Sequence, residues 1–250
     1  MLRLTDYPLV TFTMALLALW ASAQLGARFA RNIEDVREDF NTILGATLTL
    51  LGLVVGFTFS MAVGRYDQRK NLEEEEANAI GTEYVRTDFL PASESENVRR
   101  LLRQYLDQRI AYYETRDRET LRQIDIATAQ LQNKLWASVK GTALANPTPV
   151  TALTVSGMND VLNSQGYSQA GWSNRIPRAA WTLLVLISIC SNVMVGLSMR
   201  SARSRRLLTI VLPLIVSVSL LLIADIDSPR RGLIYVEPVN LISLAQALRT

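Results

Sequence analysis

The chain has 250 residues, 49% hydrophobic and 20% charged, and a formal net charge of +3. So small a charge, carried by Arg residues scattered without interleaved aromatics, makes no stripe for nucleic acid. His is absent and Cys190 is the single cysteine. That removes the commonest general base and metal ligand, and it excludes an intrachain disulfide or a Cys-based zinc site.

Mean hydropathy is only +0.14, an average that hides segregation of apolar and charged residues. The first apolar run extends from about Tyr7 to Ala27 without a charge. It is longer than the ~7–15 residue core of a signal peptide, and Asp6 stands where a basic start belongs, so a retained transmembrane helix is expected. The second run covers Thr42 to Gly64, bounded by Asp39 and Arg65. The third covers Ala179 to Met199, where Cys190 reads as a small buried hydrophobe. The fourth covers Leu207 to Ala224 and contains Pro213, which implies a kink or a freed carbonyl. Each is near the ~20 residues that cross a bilayer core as a helix. Tyr7, Trp20 and Trp181 lie near segment ends, where amphipathic rings favour the interface.

The polar middle of the chain also reads as helices. The stretch from Arg65 to Leu90 continues the second span and is stopped by Pro91. Ser93 with Glu96 forms a capping-box pattern that predicts a helix over about 94–115. A further helix is expected over 119–143, with Leu121, Ile124, Ala127, Leu131 and Leu135 on one face. Asn146-Pro147-Thr148-Pro149 breaks the chain, a short helix follows over 150–163, and the Gly- and Ser-containing segment 164–176 reads as a connector. The expected fold class is therefore all-α: a polytopic membrane protein with four transmembrane helices (1–64 and 177–225). A helical extramembrane domain (65–176) is inserted between spans 2 and 3, and a tail (226–250) ends the chain.

Four spans put both termini and the inserted domain on one side. Arg28, Arg31 and Arg37 after the first span and Arg200, Arg203, Arg205 and Arg206 in the short loop after the third nearly balance Arg3, Arg65, Arg69, Lys70, Arg175, Arg178, Arg230 and Arg231 on the opposite side. That dense loop leans towards a cytoplasmic location for the connectors.

The second span carries the most information. Gly52, Gly56, Ser60 and Gly64 recur every four residues and make a smooth stripe suited to close helix packing. Beside it run Thr49, Leu53, Phe57 and Met61. In a single chain these would meet lipid or core; around a shared axis they would stack into apolar rings that gate ions by dewetting. Arg65, Arg69 and Lys70 follow, as interfacial anchors or as an electropositive mouth for anions. Arg69 with Glu73 and Lys70 with Glu74 are spaced to neutralise part of that charge along the helix.

The string from Leu53 through Gly56, Phe57, Ser60, Arg65 and Tyr66 to Arg69 resembles the second transmembrane helix of bestrophins. The longer stretch from Leu51 to Pro91 is closer still to a bacterial membrane family described as bestrophin-like. That family tends to carry D-x-D-x-P-x-x-G after its last span, here Asp225, Asp227, Pro229 and Gly232. The resemblance implies a pentameric, anion-selective channel in a bacterial inner membrane, with small inorganic anions as permeants; no cofactor or metal is expected from the residues present. Phe57, Leu53 and Thr49 would fall at its neck positions. Thr49 departs from the usual apolar residue, and no acidic calcium clasp is evident, since Arg230 and Arg231 follow Pro229. The resemblance also places the helical domain in the cytoplasm, opposite to the charge count.

Asp225 and Asp227 could serve acid–base chemistry or bind a cation, but they read better as a cap that fixes the chain's exit from the membrane, with Arg230 and Arg231 as ion-pair partners. Two functions remain: an oligomeric ion channel, or a non-conducting membrane scaffold or sensor whose helical domain binds a partner. No nucleophile–base set, metal motif or phosphate loop supports an enzyme.

Overall fold

Among the described residues eight α-helices follow one another: α1 (Pro8–Arg28), α2 (Arg37–Arg86), α3 (Ala92–Glu114), α4 (Arg118–Ala145), α5 (Pro149–Ser173), α6 (Arg178–Ser198), α7 (Ala202–Asp227) and α8 (Val239–Ala247), with a 3₁₀ turn, Thr87–Phe89, after α2. The computed structural model describes residues 6–29, 37–199 and 202–249, and no side chains at 37–38 or 202–208. Arg31 and Arg200 therefore lie outside the described residues, as do the side chains of Arg37, Arg203, Arg205 and Arg206. Among the described residues four helices, α1, α2, α6 and α7, are long and apolar enough to span a membrane.

The chain divides into two units, residues 1–66 with 175–235 and residues 67–174 with 236–250. In the first, Leu19, Leu51, Ala62, Ile176, Leu184, Val216, Leu220, Ile223 and Ile226 form a shared apolar core. Its tightest contact joins α1 to α6. A Cβ at Gly26 would overlap the Val193 carbonyl, and one at Gly196 would overlap the Ala23 carbonyl. Ala23, Ala27, Ser191 and Asn192 are buried around them. This is packing of small residues at backbone distance, which replaces hydrophobic attraction where lipid is the solvent. Pro213 sits inside α7, which continues past it to Asp227. Cys190, expected buried, is exposed, because Leu184, Ser188, Ser191, Asn192 and Val195 take the inward face of α6.

In the second unit, residues 67–86 of α2 meet α3, α5 and α8, and α4 packs on α3 and α5. Glu76 and Arg109 form an ion pair with both side chains 0% exposed. Tyr113 Oη and Ser168 Oγ also donate to Glu76, at 3.2 and 2.8 Å. The Arg109 guanidinium lies 4.4 Å from the Tyr112 ring centroid. Burial lowers the Arg109 pKa, but the Glu76 charge and hydrogen bond outweigh it and the net shift is upward. Glu73 accepts from Asn240 Nδ2 at 2.7 Å and from the Leu241 amide at 2.9 Å. It thereby supplies an acceptor and a negative charge to the first turn of α8.

Two helix boundaries differ from expectation. α3 begins at Ala92 with Pro91 as its N-cap and no side-chain cap bond. Ser93 and Glu96 thus lie inside the first turns and form no capping box, since the fixed proline φ starts the helix earlier. α5 runs ten residues beyond the expected end, through Ser164–Ser173. Ser164, Ser168, Gly171 and Trp172 are buried there, and Trp172 meets Tyr112 and Tyr113 edge-on at 5.8 and 5.3 Å. Packing outweighs the low helix propensity of Gly and Ser.

Candidate functional site

The apolar half of α2 turns one edge to its own unit. Leu51, Thr58 and Ala62 are buried, and Val54, Val55, Val63 and Tyr66 pack partly against the core. Thr58 Oγ1 donates to the Val54 carbonyl at 2.7 Å, so that buried hydroxyl is satisfied along the helix. At about 100° per residue, Thr49, Leu53 and Ser60 point within roughly 20° of the direction opposite Leu51. The exposures agree: Leu53 is 52% and Phe57 63% exposed. Thr49 is exposed too, and its hydroxyl donates to the Gly45 carbonyl at 2.9 Å. With its donor spent on the backbone, Thr49 turns a less polar surface outwards than its residue type suggests.

The small-residue stripe beside this edge is open as well. Ser60 is exposed, and a Cβ built at Gly52, Gly56 or Gly64 would meet nothing within 4 Å. Among the described residues of one protomer these glycines face open space, while a close small-residue contact forms at the α1–α6 crossing. In the sequence, the signal for that crossing is the pair of repeats Ser22-x-x-x-Gly26 and Ala23-x-x-x-Ala27 in the first span, weaker to the eye than the glycine stripe of the second.

The three basic residues separate. Arg65 is half-buried, Arg69 is 1% exposed, and Lys70 is exposed. Glu73, four residues after Arg69, accepts from Asn240 and from the Leu241 amide of α8.

The paired aspartates lie in the last turn of α7. Asp225 accepts the Leu233 amide on Oδ1 and the Ile234 amide on Oδ2, both at 2.8 Å. Asp227 accepts the Ile176 amide at 2.9 Å, just ahead of α6. A Cβ at Gly232 would overlap the Asp225 carbonyl oxygen, so the chain folds back only where no side chain intervenes. Pro229 begins that turn. The carboxylates thus hold backbone N–H groups, and the Arg231 guanidinium lies 4.8 Å from the Tyr7 ring centroid. Asp6 pairs with Arg175 nearby in the same unit. Among the described residues no group of His, Cys, Asp and Glu side chains is arranged to hold a metal ion.

Among solved proteins, crystal structures of point variants of a bacterial bestrophin homologue from Klebsiella pneumoniae share this fold. One superimposes with a TM-score of 0.68 at 13% identity, covering 95% of this chain and 97% of that one. Another gives 0.66 at 13% identity, covering 96% and 94%. No curated protein matches the chain. Residues 10–241 match the Bestrophin-like domain, and the chain is therefore a multi-pass membrane protein belonging to the bestrophin-like family.

Proposed function

We propose that the chain assembles into an oligomeric channel for small inorganic anions, chloride foremost, with an apolar neck lined by Thr49, Leu53 and Phe57. The observation that carries this reading is how little of α2 its own protomer covers. Only 11% of its apolar stretch is buried, against 28% in α1 and 50% in the last span. The uncovered arc holds a row of larger residues beside a row of small ones. Several copies around an axis would use both, the small row for close approach of a neighbour and the larger row as stacked rings. Resemblance to bestrophins supports five copies and anion selectivity. Lys70, exposed, and Arg65, half-buried, are the residues left to attract anions.

The alternative is a non-conducting scaffold or sensor. Exposed Ile126, Leu144, Leu153 and Tyr167 of the helical unit favour it, as apolar surface on which a partner could dock. Purified protein in liposomes separates the two. The channel reading expects chloride-dependent flux that Leu53→Trp or Phe57→Trp sharply reduces. A monomer or dimer without flux would leave no closed ring to line and would favour the scaffold.

A further inference from the structure

Glu83 is a carboxyl group for which the proposed channel has no use. It lies well beyond the apolar stretch of α2, in the helical unit, and is 0% exposed. Neither of its oxygens has a hydrogen-bond partner among the described residues. Its surroundings are built by two helices. A Cβ at Gly157 of α5 would overlap both Glu83 Oε2 and Arg86 Nη1, so the acid and the guanidinium converge on one bare patch of α5 backbone. Arg86 nevertheless donates across to α5, from Nη1 to the Leu153 carbonyl at 3.4 Å. Thr154 Oγ1 donates back to the Arg86 carbonyl at 3.4 Å.

The charged groups bearing on Glu83 are Arg86 from its own helix and Asp160 from α5. Arg99 of α3 is engaged by Asp88 and by Thr87 Oγ1. Arg103 of α3 lies with Glu96 and the Tyr84 hydroxyl. Neither is directed at Glu83.

We propose that Glu83 is a proton-operated latch between α2 and α5. Neutral, it lets the Gly157 face of α5 lie against α2 while Arg86 holds the Leu153 carbonyl. Ionised, it is a sealed charge without a donor, and Arg86 is the nearest group able to answer it. Swinging Arg86 to the carboxylate gives up the Leu153 contact and loosens the first half of α5. Burial, the largest influence, with Asp160 added and Arg86 opposing, raises the Glu83 pKa from 4.5 to about 8. The latch would therefore work in mildly alkaline conditions. The proposal does not rest on conduction, and its readouts are independent of ion flux.

The test uses the full chain in detergent or nanodiscs. Hydrogen exchange over 149–160, corrected for the intrinsic pH dependence of exchange, should accelerate as pH rises from 6 to 9 in the unmodified protein. In Glu83→Gln it should stay level. Infrared titration of the unmodified protein should show a protonated carboxyl lost with the same midpoint. Asp160→Asn should lower that midpoint and Arg86→Gln should raise it. These last three measurements stand even where Glu83→Gln folds poorly. Exchange that is flat with pH in the unmodified chain overturns the latch, as does a midpoint indifferent to both Asp160 and Arg86.

Discussion

Single residues hold three kinds of buried charge here, and each predicts a different response. Asp225 accepts two backbone amides. Charge-assisted bonds are worth about 1.5–3 kcal/mol each, so Asp225→Ala should destabilise the membrane unit by about 3 kcal/mol or more in thermal melts. Asp225→Asn, which keeps one good acceptor, should cost less. The Glu76–Arg109 pair is fully sealed. Removing one partner strands the other, so Arg109→Met should cost about 3–5 kcal/mol by the same measurement, whereas replacing both partners with apolar residues should cost much less. Glu83 is buried with no donor to either carboxyl oxygen among the described residues, and its response is to pH. Its folded pKa, about 8, lies above the ordinary 4.5, so between those values the folded unit keeps a proton that the unfolded chain has lost. Stability from this group is full below about pH 4.5, declines as pH rises, and is exhausted above about 8. Glu83→Gln should therefore melt near the unmodified protein at pH 5 and above it at pH 9.

At the scale of elements, the α1–α6 crossing admits no side chain between its backbones. Gly26→Val or Gly196→Val should force the helices apart. Overpacking costs about 1–3 kcal/mol in ordinary cores, and a backbone contact has less room to yield, so the loss of melting stability should reach the top of that range. Thr13→Val on exposed α1 surface, where the hydroxyl only returns to the Leu9 carbonyl, is the control and should change little. The spans were legible because an uncharged apolar run of about twenty residues matches the thickness of a bilayer core and far exceeds what a buried soluble helix needs. The α4 start was legible within a residue, and Asp117 caps it through the Thr120 amide at 2.8 Å. The second half of α5 was not. Ser168 and Gly171 read locally as a connector, and partners distant in sequence, Glu76 on Ser168, Leu72 against Gly171 and Tyr112 and Tyr113 against Trp172, hold this stretch in the helix. Ser93 and Glu96 show the converse error, a good local pattern overruled by Pro91. On α2 the repeat was visible, but its orientation was not, because periodicity names stripes without saying which one a protomer covers.

For the whole molecule, an uncovered α2 predicts self-association. Gly52→Leu and Gly56→Leu add bulk where one protomer has open space. They should leave the monomer fold intact by circular dichroism while disrupting the oligomer in native mass spectrometry. Leu53→Trp should do the reverse, preserving the oligomer and reducing flux. Equal effects of the two kinds of change on assembly would mean that the larger stripe is contact surface rather than lining.

The turn after α7 also bears on how the protein is made. The amides that satisfy Asp225 belong to Leu233 and Ile234, eight and nine residues downstream. A chain that stops short of them leaves that carboxylate without its two backbone donors. Nascent chains truncated before Leu233 should therefore be prime targets for membrane quality-control proteases, and chains carried only a few residues further should escape them.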